Sequence, residues 1–284
     1  MEFSIIVPAY REGNINKILG LLLKQNLSPD MKLNKIFLVA TGYGKFSFLK
    51  NKKVVVIKEK IRGGKAAAIG NALKRVDSDI VILQSGDVIP SKNTVKELLT
   101  PFRNSSIGMA TGRPIPLNDK KKFTGFLIHF VWLLHHLISL KNPKAGEILA
   151  FRRLTKKIPK KLVADESYLE FIVSKMGYKI VYAPKAIVFN RGPESILYFL
   201  KQRIRVYIGH LHIKKQFNYS VSTMSSLKIF KAVIEYFEIK SIRDLKEIYW
   251  VFLAIILETS ARLIAYVQFY FLNKLPYKWE KIKT

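Results

Sequence analysis

The sequence predicts an α/β fold: a mostly parallel sheet flanked by helices, with a C-terminal apolar or amphipathic helical appendage. Three observations carry this reading. Short β-branched runs alternate with helical stretches through the first part of the chain. Each run is mostly apolar with no clean alternation, as strands buried on both faces are. The chain then ends in a long apolar stretch of different character, Ile248–Leu272.

The elements follow in order. Met1-Glu2 leads straight into Phe3–Val7 without a basic region or a small-residue cleavage site, so the first residues are expected to form a core strand rather than a targeting signal. Further strands are expected at Ile36–Val39, Val54–Ile57 and Ile80–Leu83. Between them Ile15–Gln25, Lys65–Arg75 and Asn93–Phe102 read as helices, the last entered through Pro90 and Ser91. In such sheets ligands sit beyond the carboxyl ends of the strands. The residues that follow each run therefore matter most: Pro8–Glu12, Ala40–Gly42, Lys58–Gly64 and Ser85–Asp87.

The middle of the chain differs. Phe123–Leu140 has no Asp, Glu, Lys or Arg, carries Trp132, His129, His135 and His136, and is bordered by Lys120–Lys122 and Lys141. It is close to the shortest stretch that spans a bilayer, so a buried or interfacial helix is expected. Ile248–Leu272 is longer, but Glu258 and Arg262 interrupt it at a spacing that suits pairing on one helix face. Its flanks are both basic, Arg243 and Lys246 before and Lys274, Lys278, Lys281 and Lys283 after, so they set no orientation. The segment fits three arrangements equally: crossing a bilayer, lying in its interface, or packing on the protein or a second copy.

Composition bounds the function. The chain has 284 residues, 49 Lys and Arg against 20 Asp and Glu, and a formal net charge of +29. At 49% hydrophobic and 12% aromatic residues it has ample material for a core, which excludes general disorder. With no cysteine it has no disulfide framework, thiolate metal site or cysteine nucleophile. The charge implies a polyanionic partner: nucleic acid, an anionic membrane surface or a phosphorylated substrate.

Four groups of residues can carry chemistry, each with an ordinary structural alternative. Asp87 is presented where an apolar run ends, beside Gly86, and would suit a hard divalent cation with phosphate oxygens, or a turn before Pro90. Arg62–Lys65 is a glycine-containing turn opening a helix, fit for a phosphate or simply a turn. Asp165 and Glu166 open a helix expected over Asp165–Met176, as a cap or as a general base. Gln202, Arg203 and Arg205 lie in a basic helical stretch, Glu194–His212, suited to phosphate or to solvent. The histidines show no metal-binding spacing and read as packed or hydrogen-bonded residues.

In this order the pieces resemble the family 2 glycosyltransferases of the GT-A fold, from about Ser4 to His210. Ile5–Glu12 is similar to the family's first strand and donor loop, V-I-P-A-Y-N-E. Gly64–Leu73 resembles its G-K-x-x-A-x-N segment, and Ser85–Pro90 falls at its D-x-D-x-x-P. Gly146–Arg153 resembles the G-x-x-x-A-F-R-R element on the acceptor side, and Gly177–Ala186 the strand after the acidic pair. Asp165-Glu166 falls at the family's Glu-Asp pair, and Gln202–Val206 at the Q-R-x-R-W of membrane-associated members. The departures are Ala40-Thr41-Gly42 in place of an acidic pair, Ser85 in place of the first Asp, Asp-Glu in place of Glu-Asp, and Val206 in place of Trp.

The resemblance implies a membrane-associated, inverting, metal-dependent transferase. It would move a sugar from a nucleotide-diphospho-sugar to a hydroxyl or phosphate acceptor, lipid-linked or glycan. Asp87 would hold Mg²⁺ or Mn²⁺. Pro8, Tyr10, Glu12, Lys65, Gln202, Arg203 and Arg205 would contact the donor and its phosphates. Gly146, Glu147, Phe151 and Arg152 would face the acceptor. Register with Gly177 makes Glu166 the base, with Asp165 competing. The expected organisation is a catalytic domain over 1–213, its donor half about 1–113 and acceptor half about 114–213, and a helical segment over 214–284 that associates with a membrane or packs, including against a second copy. The expected location is a membrane with the catalytic domain on the cytoplasmic side. Two alternatives stand beside it: a non-catalytic GT-A-like partner subunit, and a basic nucleic-acid-binding protein. Against the latter, no nucleic-acid module appears and the aromatics sit in apolar runs, so no nucleic acid is expected.

Overall fold

The computed structural model describes residues 1–44, 46–240 and 244–278; Arg243, Lys281 and Lys283, read above as basic flanks, lie outside them. The chain forms two compact units, one built mainly from Met1–Pro114 and Ala145–Asn190, the other mainly from Ile115–Lys144 and Arg191–Pro276.

The first unit is an eight-stranded sheet with helices. In chain order it contains β1 (Glu2–Tyr10), α1 (Ile15–Leu23), β2 (Lys32–Thr41), β3 (Val54–Glu59), α2 (Lys65–Leu73), β4 (Ile80–Gln84), β5 (Ile89–Pro90), α3 (Thr94–Leu99) and β6 (Ile107–Pro116). After α4 (Phe123–Lys141) of the second unit, it resumes with β7 (Ile148–Arg152), α5 (Asp165–Lys175) and β8 (Lys179–Asn190). The strand order is β3-β2-β1-β4-β7-β6-β8-β5.

One half, β3-β2-β1-β4, is parallel as expected, with Val7 beside Leu38 and Ile5 beside Ile82. The runs of β1, β2 and β4 are buried on both faces, which is why Ile5, Ile6, Val7, Leu38, Val39, Val81 and Ile82 are all fully covered, whereas the edge strand β3 is only partly buried. α1 contributes Ile15, Ile18, Leu19 and Leu22 to the core, the i, i+3, i+4, i+7 stripe of a helix packed on a sheet. The other half is antiparallel: β7 runs against both β4 and β6, and β5 against β8. This reversal makes the sheet mixed. It also brings the start of β7 beside the carboxyl end of β4, because Gln84 pairs with Ile148.

The second unit is helical: α4, α6 (Ile196–Phe217), α7 (Ser226–Lys240) and α8 (Leu245–Tyr270). Phe126, Leu127 and Phe130 of α4 pack with Ala232 and Tyr236 of α7 and Val251 and Ala254 of α8. Tyr207 and Ile208 of α6 pack with Ala261, Ala265 and Phe269 of α8, where small residues allow close approach. The two charges inside the apolar C-terminal stretch do not pair with each other. Glu258 takes Arg203 of α6 at 2.6 Å and accepts from the Tyr207 hydroxyl, while Arg262 donates to the Thr223 carbonyl at 3.1 Å and lies over the Tyr207 ring. The interhelical pair wins because it joins two helices already packed on their small residues.

Candidate active site

The site is built at the carboxyl end of the parallel strands. β4 ends at Gln84, and Ser85, Gly86 and the exposed Asp87 follow. Gly86 has no substitute there: a Cβ would sit 2.9 Å from both the Pro8 carbonyl oxygen and Ala9 Cβ. The loop therefore lies against the end of β1, bringing Pro8 and Asp87 to one edge. α2 begins at Lys65 and α5 at Asp165, so both helices direct their N-termini, where negative charge is stabilised, towards this edge.

Lys65 ties these parts together. Its ammonium donates to Glu166, lies 3.6 Å from Asp165 Oδ2, and donates to Ser85 Oγ at 3.3 Å. From the first strand of the antiparallel half, Glu147 approaches the same place. The Ser85 amide donates to the Glu147 carbonyl at 3.2 Å, and the Glu147 carboxylate shares a hydrogen bond with the Ser85 side chain.

The electrostatics follow from this crowding. Burial alone would lower the Lys65 ammonium, but the charges of Asp165, Glu166 and Glu147 outweigh it and hold the group above its ordinary range. Asp165 is raised, first by burial and then by Glu166. Glu147 is raised, first by burial and then by Asp87. Among the described residues no set of three or more His, Asp or Glu is grouped for metal binding. The donors present near β4 are hard oxygens, the Asp87 and Glu147 carboxylates and the Ser85 hydroxyl, which match the preference of Mg²⁺ or Mn²⁺ for one or two carboxylates plus phosphate oxygens.

Of the other expected site residues, Tyr10 and Glu12 stand at the end of β1. Arg62 stacks its guanidinium 3.9 Å from the centre of the Tyr10 ring, and the Glu12 amide donates to Tyr43 Oη at 2.9 Å. Gly146 directly precedes Glu147. Phe151 and Arg152 do not join them. β7 runs antiparallel to β4, so Arg152 pairs with Ile80 at the opposite edge, about 13 Å from the start of the strand at roughly 3.3 Å per residue. There Phe151 is core, and Arg152 donates to the carbonyls of Ile107 and Phe102. Gln202, Arg203 and Arg205 belong to the second unit, where the Arg203 guanidinium is engaged by Glu258 and Tyr207 rather than by solvent. Glu59 fell within the Lys58–Gly64 segment but was not singled out in the sequence. It ends β3, accepts from Thr41 Oγ1 at 3.0 Å and from Asn71, and lines an open groove of about 530 Å³ with Lys58, Lys60 and Arg75. Thr41 stands where the acidic pair was missing, so this carboxylate reaches that position from the next strand.

A mixed sheet with a parallel half, flanked by helices, is of the GT-A-like α/β class. The chain belongs to the family described as glycosyltransferase like family 2, whose profile matches residues 2–209. An N-acetylglucosaminyltransferase of Azorhizobium caulinodans is 22% identical over 164 residues, 50% of this chain and 41% of that protein. The chain thus spans about two fifths of that relative's length. The structure superposes on a mannosyltransferase of Pyrobaculum calidifontis in complex with GDP-Man and Mn²⁺, with a TM-score of 0.63 and 16% identity, covering 96% of this chain and 88% of that one.

Proposed function

We propose that the protein transfers a sugar, with inversion, from a nucleotide-diphospho-sugar to a hydroxyl or phosphate acceptor carried by a lipid or glycan at a membrane surface. The observation that carries the reading is the Lys65-Asp165-Glu166 cluster opposite Ser85 and Asp87 at the carboxyl edge of a family 2 sheet.

The donor's diphosphate lies over this edge, beside Asp87 and the N-terminus of α2. Asp87 would hold a divalent cation, whose charge would offset the negative charge that develops on the departing diphosphate. Lys65 supplies a fixed positive charge at the same place. The acceptor oxygen attacks the anomeric carbon as the bond from that carbon to the diphosphate breaks, and the acceptor proton passes to a carboxylate. Glu166 suits that role better than Asp165, because its side chain is 21% exposed and that of Asp165 is 1%. A base must be reached by its substrate, and Asp165 is enclosed. One displacement from the face opposite the leaving group inverts the anomeric configuration.

The membrane part of the reading rests on the second unit. α4 and α8 are long and apolar enough to cross a bilayer by length and composition. The apolar window of α8 is only 22% buried, and it exposes Tyr249, Phe252, Leu263 and Tyr266, while α7 exposes Leu227 and Phe230. An apolar face of this size in a chain of net charge +29 suits an anionic headgroup layer.

The test is a panel of nucleotide-sugars assayed for binding and transfer with Mg²⁺ or Mn²⁺. Glu166→Gln is expected to abolish turnover while leaving donor binding intact; loss of turnover in Asp165→Asn alone would reassign the base. Full activity in excess chelator would refute the metal's part. Recovery of the whole protein in the soluble fraction, without detergent or high salt, would refute the membrane's part.

A further inference from the structure

We propose that Glu147 is the second carboxylate of the divalent-cation site, reaching from β7 into the position that Ser85 leaves without a charge. The inference rests on the metal reading of Asp87 given above.

Three observations converge on it. The first is register. Gln84 of β4 pairs with Ile148 of β7, and the pairing continues one residue further, with the Ser85 amide donating to the Glu147 carbonyl at 3.2 Å. Residues directly opposite on neighbouring strands point to the same face with their Cβ atoms about 5 Å apart. A glutamate at 147 therefore delivers its carboxylate over residue 85, within reach of a group bound to Asp87 two residues on.

The second is the immediate contact. The Glu147 carboxylate is hydrogen-bonded to the Ser85 side chain and is close enough to Asp87 for their charges to repel. The nearby Lys65 is already committed to Asp165 and Glu166. Two carboxylates turned towards one another at the mouth of a phosphate-binding edge are stabilised by a cation between them. The third is that one ammonium, Lys65, serves three carboxylates here, Asp165, Glu166 and Glu147, so negative charge at this edge outnumbers it.

The geometry also accounts for Ser85. An aspartate there would place a third carboxylate against Asp87 and Glu147. A serine instead links Glu147 to Lys65 through its hydroxyl, holding the glutamate in place. On this account Glu147 faces the metal rather than the acceptor.

The experiment measures Mn²⁺ binding to the full chain by electron paramagnetic resonance and by calorimetry, alone and with UDP or GDP. The proteins are the wild type, Glu147→Gln, Glu147→Asp, Asp87→Asn and the double variant Ser85→Asp with Glu147→Gln. Glu147→Gln is expected to weaken Mn²⁺ binding at least about tenfold, as losing a group that fixes a bound metal does. Ser85→Asp is expected to restore much of it by returning a carboxylate to the same spot. Wild-type binding with unchanged affinity in Glu147→Gln overturns this inference and leaves the Asp87 reading intact. A wild type that binds no Mn²⁺ under any of these conditions overturns both. Should Glu147→Gln fail to fold, Glu147→Asp carries the test: it keeps the charge but withdraws it by one methylene, and unchanged affinity overturns the inference.

Discussion

Replacing Lys65 by methionine tests the site's electrostatics without any knowledge of substrate. The ammonium is the shared counter-ion of Asp165, Glu166 and Glu147, and its side chain is only 17% exposed. Removing one partner of a buried ion pair leaves an uncompensated charge and costs about 3–5 kcal/mol. Because Lys65 and Glu166 are both partly reached by water, the lower figure, about 3 kcal/mol, is expected at pH 8. The loss must depend on pH. Asp165 and Glu147 already have raised pKa values in the folded state, and losing the lysine raises them further. A carboxyl group raised in the folded state holds its proton there while the unfolded chain has released it. Stability therefore falls as pH rises from the ordinary carboxylate range through the folded value. The deficit of Lys65→Met is expected to be largest at pH 8 and to shrink towards pH 5, where the carboxylates protonate in place. Urea denaturation across that range measures it, and a cycle with Glu166→Gln should return a coupling energy of about 1–3 kcal/mol. A loss that is equal at pH 5 and pH 8, or smaller than about 0.5 kcal/mol at both, would show that Lys65 does not neutralise these carboxylates.

Glu147→Gln is expected to stabilise the metal-free protein at pH 8 and to have little effect near pH 4. Burial and Asp87 push Glu147 up to about 7, so its charged form is the disfavoured one; denaturation at the two pH values reads the difference. Gly86→Ala should destabilise by about 1–3 kcal/mol, because its Cβ would meet backbone at Pro8 and Ala9 that cannot swing away. Gly13→Ala, which meets nothing within 4 Å, is its control in the same thermal melt. Glu258→Gln should cost about 3–5 kcal/mol by stranding Arg203 between α6 and α8, with much of that recovered when Arg203→Met removes the other partner.

The parallel half of the sheet was legible because strands covered on both faces appear as apolar runs without clean alternation; Ile36–Val39 and Ile80–Leu83 are wholly apolar, and Phe3–Val7 is interrupted only by the buried Ser4. β6 was not. Glycines at 108 and 112 and a proline at 114 dilute its strand character. Gly112 is there for packing: a Cβ would lie 2.7 Å from the Ala186 carbonyl of β8 and 2.5 Å from Ile148 of β7. That is information about neighbours, which local propensity does not contain. The Glu258–Arg203 pair was hidden for the same reason. The i, i+4 spacing of Glu258 and Arg262 suggested a pair within one helix, and only the packing of α6 on α8 reveals the stronger alternative.

The site shows the same division more sharply. Asp87, Asp165, Glu166 and Lys65 were identifiable because each opens or closes an element, and element ends are what a sequence marks best. The roles of Glu147 and Glu59 were not: Glu147 was expected on the acceptor side and Glu59 only as part of Lys58–Gly64, because each acts on a position owned by another strand, Glu147 on Ser85 and Glu59 on Thr41. Where the motif lacks a carboxylate, at 41 and at 85, a glutamate from the adjoining strand supplies one, and it is the register of the sheet that carries it there. The overall charge points the other way. A chain of net +29 concentrates carboxylates at the one edge where a cation and a diphosphate would meet. The basic excess therefore does not describe this edge, and its effect must be sought on the rest of the surface, where Lys120–Lys122 and Lys141 border the apolar α4.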